Sequence, residues 1–290
     1  MDKNVFYFPI WGEAYIKLFN NFGLNCLYRN LIRMNKDNLK NSKIEIWTFK
    51  QDIKKIKSLP QIKKLVKKIE INYESIDELH KNLSNFNLNK YQFLSVLQKI
   101  FINSHSSKFQ FLWFIYPDFV FSDNLVKNFF KLKKKYKAYF IPVPQLIEEK
   151  VIKEFNKKNF KPTTKNITKM FFDYLHPIVK ICDVNESKTN TPSLFLSSDK
   201  NSIIFKYYHM HPLIIKSDIE NYNMNNKFYS SLDEGLVGEL DEKKIFIAKS
   251  NYFGICASLL KEKEYKLPNE RFNFKRSLEW CKNHVNKTHV

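Results

Sequence analysis

Short apolar segments alternate with amphipathic helical segments along the first half of the chain. Lys43–Thr48 alternates apolar and polar side chains with the period of a strand, whereas the apolar residues between positions 62 and 69 recur with the period of a helix. By the same criteria we predict the strands Val5–Ile10, Lys43–Thr48, Ile69–Tyr73, Phe109–Tyr116 and Ala138–Val143, separated by helices. This order predicts an α/β fold with a mostly parallel central sheet and helices on both faces.

The character of the chain changes after Pro144. Helical patterns at Gln145–Phe155 and Thr163–Tyr174 precede a polar stretch, Asp183–Pro192, that we interpret as a loop. Further on we predict the strands Ser202–Tyr208, Leu213–Lys216 and Lys244–Ala248 and a final helix near Glu270–Cys281. Because neither an internal repeat nor a flexible linker divides the chain, we expect a single domain over residues 1–290, in which residues 144–290 add a mixed α/β portion to residues 1–143.

The chain is strongly basic, with a formal net charge of +20. An anionic partner is therefore expected, and a nucleotide, an acidic glycan, an anionic membrane surface and a nucleic acid all fit that description. Only four of the 49 basic residues are arginine, the side chain best suited to forming paired hydrogen bonds with bases and phosphates. A nucleic acid is therefore the least favoured partner. The basic segment Lys131–Lys137 is compatible with peripheral attachment to an anionic membrane.

Two observations lead us to expect a cytoplasmic protein. No stretch of about 18 apolar residues is present in the sequence, and the most apolar run, Phe109–Val120, contains Pro117 and Asp118. The N-terminal segment also lacks the charged-then-apolar pattern of a secretory signal. Any membrane contact is then expected to be peripheral, at the inner face of the membrane.

The residues just after the predicted strands are the first candidates for a binding site. In an open parallel sheet, ligands bind in the crevice outside the carboxyl ends of the strands. The first strand runs into Pro9, Trp11, Gly12 and Glu13, where Gly12 would let the backbone approach a ligand and Trp11 offers a ring for stacking. The second strand ends at Thr48. We expect these residues to line a ligand site.

Acidic residues come after the long apolar strand that ends near Tyr116. A carboxylate directly after a fully buried strand needs a partner such as a metal, a sugar hydroxyl or backbone donors, so Asp118 is the strongest functional candidate. Ser122 and Asp123 lie where a helix is predicted to begin, and capping of that helix is the simpler explanation for them.

Histidines and a second acidic pair lie in the C-terminal half. His209 and His211 alternate at the end of a predicted strand, so their side chains would face opposite sides and share a metal only if the chain bends there. For each histidine, contact with a substrate and a structural role both stay open. Asp233 and Glu234 lie in a predicted loop and are further candidates for contact with a substrate.

Taken together, these segments resemble a group of bacterial glycosyltransferase-like proteins with the GT-A fold. Proteins of this group begin with an apolar strand and W-G-E, carry S-P-D-x-x-x-S-D after the central strand, and have F-H-x-H-P-L followed by an acidic loop. The counterparts in this sequence are Trp11–Glu13, Tyr116–Asp123, Tyr208–Leu213 and Leu232–Asp233. The resemblance spans most of the chain and implies a GT-A, Rossmann-like sheet domain.

The resemblance also implies where a nucleotide sugar would bind. The site would lie over the first, second and fourth strand ends, with Asp118 near the diphosphate, and it would include Tyr116, Asp123 and His209. Mn²⁺ or Mg²⁺ bound by Asp118 is the cofactor that the family suggests. A full D-x-D motif would have an acid at position 116, where this chain has Tyr116. Lysines that neutralise the diphosphate are therefore an alternative to the metal.

The activity implied by the resemblance is transfer of a sugar from a nucleotide-diphosphate donor to a glycan or lipid-linked acceptor in surface polysaccharide synthesis. A general base beside the acceptor hydroxyl is needed for an inverting route, and Asp233, Glu234 and His211 are the candidates in that order. Two alternatives stay open. The chain could be a non-catalytic nucleotide-binding protein on the same fold or, less favoured, a basic nucleic-acid-binding protein.

Overall fold

The computed structural model describes residues 3–105, 110–132, 136–180, 194–198, 202–207, 213–217 and 242–263. Its strands are β1 (Lys3–Pro9), β2 (Ser42–Thr48), β3 (Glu70–Ser75), β4 (Gln110–Phe114), β5 (Phe119–Phe121), β6 (Ala138–Phe140), β7 (Gln145–Ile147), β8 (Leu194–Ser198), β9 (Ile203–Tyr207), β10 (Ile214–Lys216), β11 (Ile245–Ile247) and β12 (Cys256–Leu260). Its α-helices are α1 (Glu13–Leu18), α2 (Leu24–Leu31), α3 (Lys36–Lys40), α4 (Lys50–Lys57), α5 (Pro60–Leu65), α6 (Asp77–Asn82), α7 (Lys90–His105), α8 (Leu125–Lys131), α9 (Glu148–Phe155), α10 (Thr164–Tyr174) and α11 (Pro177–Lys180). A π-helical turn, Phe19–Gly23, joins α1 to α2, and 3-10 turns occupy Ser84–Phe86 and Glu242–Lys244.

Local sequence accounts for several helix boundaries. Pro60 begins α5, where its missing N–H is not needed for the helix. The Thr163 hydroxyl accepts the N–H of Asn166 at 3.3 Å and caps α10, and the Asn35 side chain accepts the N–H of Asn38 at 2.8 Å and caps α3. Each cap satisfies one of the backbone donors that the first turn of a helix leaves unpaired.

The main sheet has the strand order β3-β2-β1-β4-β10-β6-β11 within the described residues. Strand β10 runs antiparallel to its neighbours β4 and β6, and the other pairs are parallel. The prediction of a mostly parallel sheet is thus confirmed. Strands β10 and β11 come from the second half of the chain, so both halves contribute to this one sheet.

The strand order reverses direction at the centre of this sheet. From β1 the chain proceeds to β2 and β3 on one side, and β4 then lies on the other side of β1. The loops that leave the carboxyl ends of β1 and β4 therefore diverge. In doubly wound folds this topological switch point is where the loops leave a crevice for a ligand.

Two buried clusters cover the two faces of the sheet. Phe6 and Phe8 belong to the cluster that includes residues of α1, α2, α5 and α8, whereas Tyr7 lies in the opposite cluster with Phe101 of α7. The side chains of a strand alternate between faces, so consecutive residues of β1 reach different layers. Helices on both faces, as predicted, are consistent with this alternation of buried side chains.

A second, three-stranded sheet has the order β5-β12-β7, and its strands were not predicted. The helix predicted from Gln145 begins instead at Glu148, because Gln145–Ile147 pairs in parallel with Ser258–Leu260. Segments of three to five residues are too short for periodicity to separate a strand from a helix. Strands β8 and β9 form an antiparallel pair.

Some predicted elements lie outside the described residues, namely the loop at Asp183–Pro192 and the helix near Glu270–Cys281. Within the part of the chain that the structure describes, no helix has both the length and the apolar character needed to cross a membrane.

Candidate functional site at the switch point

The loop after β1 owes its shape to a glycine. Gly12 has φ 78° and ψ 153°, a backbone conformation that side chains disfavour, and a Cβ added there would meet nothing within 4 Å. The Gly12 N–H donates to Asp52 Oδ2 of α4 at 2.9 Å. The loop after β1 is thus tied to the helix after β2, while the space beside Gly12 stays open.

Aromatic rings from four segments form a row next to this loop. The half-buried Trp11 meets Phe93 of α7 edge to face at a centroid distance of 5.8 Å. Phe93 in turn packs against His80 of α6, and His80 against Phe49, each at 5.3 Å. We call Trp11, Phe49, His80 and Phe93 the aromatic row. Such rings provide apolar faces on which a planar ligand group can stack.

The loop after β4 rests on the π-helical turn. A Cβ on Gly23 would lie 3.4 Å from the Pro117 carbonyl oxygen and 3.5 Å from that of Tyr116, so glycine lets the helix approach this loop closely. The Tyr116 hydroxyl is hydrogen-bonded to the Gln98 side chain of α7, and the Tyr116 ring packs against Phe119 at 5.0 Å. The loop is therefore held from both sides of the sheet.

Asp118 lies in this loop and is partly accessible to solvent. Burial of its carboxyl raises its pKa to about 6, opposed chiefly by its own backbone N–H and by the charge of Lys90. The carboxylate of Glu148, the first residue of α9, raises the pKa further. The charges of Lys90 in α7 and Glu148 in α9 thus shift the pKa of Asp118 in opposite directions.

Lys90 begins α7 and is exposed. Its ammonium donates a hydrogen bond to the Tyr15 hydroxyl of α1 at 3.2 Å and lies over the Tyr91 ring at 4.8 Å. The hydrogen bond with Tyr15 raises the pKa of Lys90, so the side chain keeps its positive charge. We define Trp11, Gly12, Lys90, Tyr116 and Asp118 as the switch-point site.

The other residues predicted near the first two strand ends have different surroundings. Pro9 is the last residue of β1 and pairs with Trp47 of β2. Glu13 is exposed and forms an ion pair with Lys55 at 3.2 Å. Thr48 is fully buried, and its hydroxyl has no hydrogen-bond partner among the described residues. Full burial shields this side chain from a ligand in this structure, and its predicted contact with a nucleotide sugar stays a prediction.

Asp123 lies apart from these loops in an ion pair. Its carboxylate is 2.5 Å from Arg33, which lies just after α2, and its N–H donates to the Pro162 carbonyl at 2.9 Å. With 6% of its side chain exposed, Asp123 has the surroundings of a structural residue. Its predicted contact with a nucleotide sugar stays an untested prediction.

The capping hypothesis for Ser122 and Asp123 is wrong. The N-cap of α8 is Asn124, and its side chain makes no capping hydrogen bond. The Val126 N–H donates instead to Oδ1 of the buried Asn30 at 3.0 Å, and Asn30 Nδ2 donates to the Ser122 carbonyl at 3.0 Å. A side chain from α2 therefore caps α8, which no local sequence pattern could predict.

The structure brings together residues that the sequence analysis did not single out, chiefly Lys90, Gln98 and Glu148. Gln98 is hydrogen-bonded to Tyr116, and the charges of Lys90 and Glu148 act on the pKa of Asp118. Nothing in their local sequence distinguishes these three from other polar residues of a helix. His209, His211, Asp233 and Glu234 lie outside the described residues. Their predicted roles stay predictions.

The described residues do not fit a divalent metal centre. Mn²⁺ and Mg²⁺ prefer several oxygen ligands, and among the described residues no group of three or more histidine, cysteine, aspartate and glutamate side chains could hold an ion. At position 116 the chain has a phenol that is hydrogen-bonded to Gln98. We therefore derive no step that passes through a metal.

Comparison with known proteins assigns no family. No family model matches the sequence, and no curated protein matches it. Among solved structures, the apo form of mouse xyloside xylosyltransferase 1 is similar to this chain with a TM-score of 0.33 and 9% sequence identity. The match covers 49% of this chain and 53% of that protein, so the chain spans about half of its length. A likeness this low does not establish a shared family or activity.

Proposed function

We propose that the protein is a GT-A-type glycosyltransferase that binds a nucleotide-diphosphate sugar at the switch-point site. The observation that carries the proposal is the β3-β2-β1-β4 strand order, which sets the Trp11–Gly12 loop and the Tyr116–Asp118 loop on either side of the switch point. Ligands of doubly wound folds bind at this position. The sequence resemblance to bacterial GT-A proteins supports the same assignment.

The surroundings of the site suit the parts of such a donor. The aromatic row offers faces for a nucleobase, and Gly12 leaves open space for close approach of a ligand to the backbone. Lys90 supplies a positive charge next to Asp118, where we place the diphosphate and the sugar.

Transfer by direct displacement needs few groups. The acceptor oxygen forms a bond to the anomeric carbon while the bond from that carbon to the phosphate oxygen breaks, and the electron pair leaves with the nucleoside diphosphate. Lys90 would stabilise the negative charge that develops on the leaving phosphate. The Asp118 carboxylate would stabilise the positive charge that develops at the anomeric carbon. The acceptor proton would pass to Asp233, Glu234 or His211. The acceptor is proposed to be a glycan or a lipid-linked glycan.

One observation favours a second candidate function, binding of a nucleotide without transfer. The position where the related motif has an acid is Tyr116, and its hydroxyl is already hydrogen-bonded to Gln98. A site that lacks this acid could bind a nucleotide sugar and regulate a partner without cleaving the donor.

The test measures binding and transfer separately. We expect a UDP-sugar or GDP-sugar at about 100 times its Kd to raise the melting temperature by about 5 °C, with and without Mn²⁺. We also expect release of nucleoside diphosphate when a glycan acceptor is added. Stabilisation without release would support the second candidate, and no stabilisation by any sugar nucleotide would overturn both.

A substitution of Asp118 tests the role of its carboxylate in sugar transfer. Asp118→Asn should reduce release of the nucleoside diphosphate at least 100-fold while the protein keeps its fold and binds the donor, because only the charge at the reacting centre is removed. Asp37→Asn on the exposed surface of α3 is the matched control and should have no effect. Equal activity of the two variants would contradict the role of Asp118.

A further inference from the structure

A separate cavity lies at the other end of the same carboxyl edge. It has a volume of about 420 Å³ and is bounded by Ile141 after β6, Ala248 after β11, Phe171 of α10 and Ile203 of β9. Cavities that hold small ligands have volumes in this range and mainly apolar walls with a few polar groups. The volume and the walls thus suit a small ligand with a substantial apolar part.

This cavity is distinct from the switch-point site. Asp118 directly precedes β5, whereas Ile255, which lines the cavity, directly precedes β12. Because β5 and β12 are antiparallel, with Phe121 opposite Cys256, these two residues lie at opposite ends of the small sheet. Four residues of extended chain separate the two ends by roughly 13 Å.

The rim of the cavity carries exposed apolar side chains. Phe172 is 40% exposed and Ile204 is 55% exposed, and both line the cavity. Large apolar side chains clustered at the mouth of a cavity are expected where an apolar ligand enters. The apolar character therefore continues from the interior of the cavity to its entrance.

Five polar residues interrupt the apolar lining, namely Thr168, Ser202, Lys249, Ser250 and Asn251. Lys249 lines the cavity and is exposed, so it brings a positive charge to the entrance. Ser250 and Asn251, which follow Lys249 in the chain, also line the cavity and are exposed. The exposed polar side chains of the lining are thus grouped at residues 249–251.

We propose that this cavity binds an amphiphile with a single apolar chain and an anionic head group. The chain would occupy the apolar interior, and the oxygen atoms of the head group would accept hydrogen bonds from Lys249 and Ser250 at the entrance. The mainly apolar walls disfavour a ligand that consists only of an anion, and the positive charge of Lys249 favours an anionic head over a neutral one. The proposal does not depend on sugar transfer.

Three compounds separate the contribution of the ligand's apolar chain to binding from that of its head group. Isothermal titration calorimetry below the micelle concentration should show one saturable site for dodecyl phosphate. Dodecyl maltoside, which has the same chain and a neutral head, should bind at least tenfold more weakly, and inorganic phosphate should not compete. Equal affinity for the two dodecyl compounds would overturn the anionic head. The absence of saturable binding would overturn the whole proposal.

Variants locate the binding in the cavity. Lys249→Gln should weaken dodecyl phosphate binding by about fivefold to tenfold and leave dodecyl maltoside unaffected, and Ser250→Ala should weaken dodecyl phosphate binding by about threefold. Ile204→Glu, at the exposed rim, should weaken both compounds at least tenfold because it adds a negative charge to the apolar entrance. The matched control is Lys165→Gln on the exposed face of α10. Unchanged affinity in all three cavity variants, with native circular dichroism, would place the binding elsewhere.

Discussion

The switch-point site and the apolar cavity lie on the same edge of one sheet, yet they have opposite chemistry. The switch-point site joins Asp118, Lys90 and Tyr116 at the ends of β1 and β4, whereas Ile141, Ala248 and apolar neighbours line the cavity at the ends of β6 and β11. Parallel strands bring their carboxyl ends to a common edge, but the strands do not set the chemistry of that edge. The loops and the helices packed beside them decide it.

A glycine with positive φ shapes each region, and the two glycines differ in their surroundings. Gly12 at the switch point faces open space, whereas Gly254 beside the cavity has φ 146° and packs against Leu125. The first glycine leaves room for a ligand, while the second allows close packing of the protein against itself. Substitutions at these two positions therefore separate ligand access from packing.

The largest effect is expected for Gly254→Ala. The new Cβ would lie 2.6 Å from Leu125 Cδ1 and 3.1 Å from its Cα, and the backbone conformation is also unfavourable for alanine. We expect the free energy of unfolding to fall by about 3 kcal/mol. Urea unfolding followed by circular dichroism measures the change. A loss below about 1 kcal/mol would show that the packing against Leu125 relaxes easily.

An intermediate effect is expected for Glu45→Gln. This change removes an interaction that holds helix α7, and α7 contributes Lys90 to the switch-point site. His105 Nε2 of α7 donates to Glu45 Oε1 of β2 at 3.0 Å, and Lys43 lies 2.5 Å from the same carboxylate. Helix α7 also carries Lys90 and Gln98 to the switch-point site. Burial alone raises the pKa of Glu45, but the hydrogen bonds and charges of His105 and Lys43 outweigh it and lower the pKa to about 2.

The lowered pKa fixes the sign of the pH dependence. The folded protein binds the Glu45 proton less tightly than the unfolded chain does. The ionised Glu45 carboxylate therefore stabilises the fold above about pH 4.5, and this contribution is lost as the pH falls towards 2. At pH 7 we expect Glu45→Gln to lower the free energy of unfolding by about 2 kcal/mol. Denaturation at several pH values should show this difference shrinking below pH 4.5. A difference that is constant down to about pH 2.5 would contradict the assignment.

The smallest effect is expected for Gly12→Ala. A Cβ meets nothing within 4 Å there, so only the unfavourable backbone conformation remains, and we expect a loss of about 1 kcal/mol. The same urea measurement, made beside Gly254→Ala, gives the comparison. A loss as large as that of Gly254→Ala would mean that the loop after β1 is packed rather than open.

Much of the central sheet could be predicted from the sequence. Strands β1, β2, β3, β4 and β6 occur where the apolar patterns predicted them, because their residues form a buried layer with a regular period. The loops containing Gly12 and Asp118 were also identified as strand ends. The small sheet β5-β12-β7 was missed, since each of its strands is short and depends on a partner distant in sequence.

By itself, then, the sequence determined which segments become strands and which polar residues come next along the chain, since both properties depend on sequence neighbours. Only the tertiary structure decided which strand ends meet. It brought the charges of Lys90 and Glu148 to act on Asp118, and it capped α8 with Asn30, 96 residues before the N–H that this side chain accepts. Such contacts depend on strand order and helix packing, and local periodicity carries no information about either.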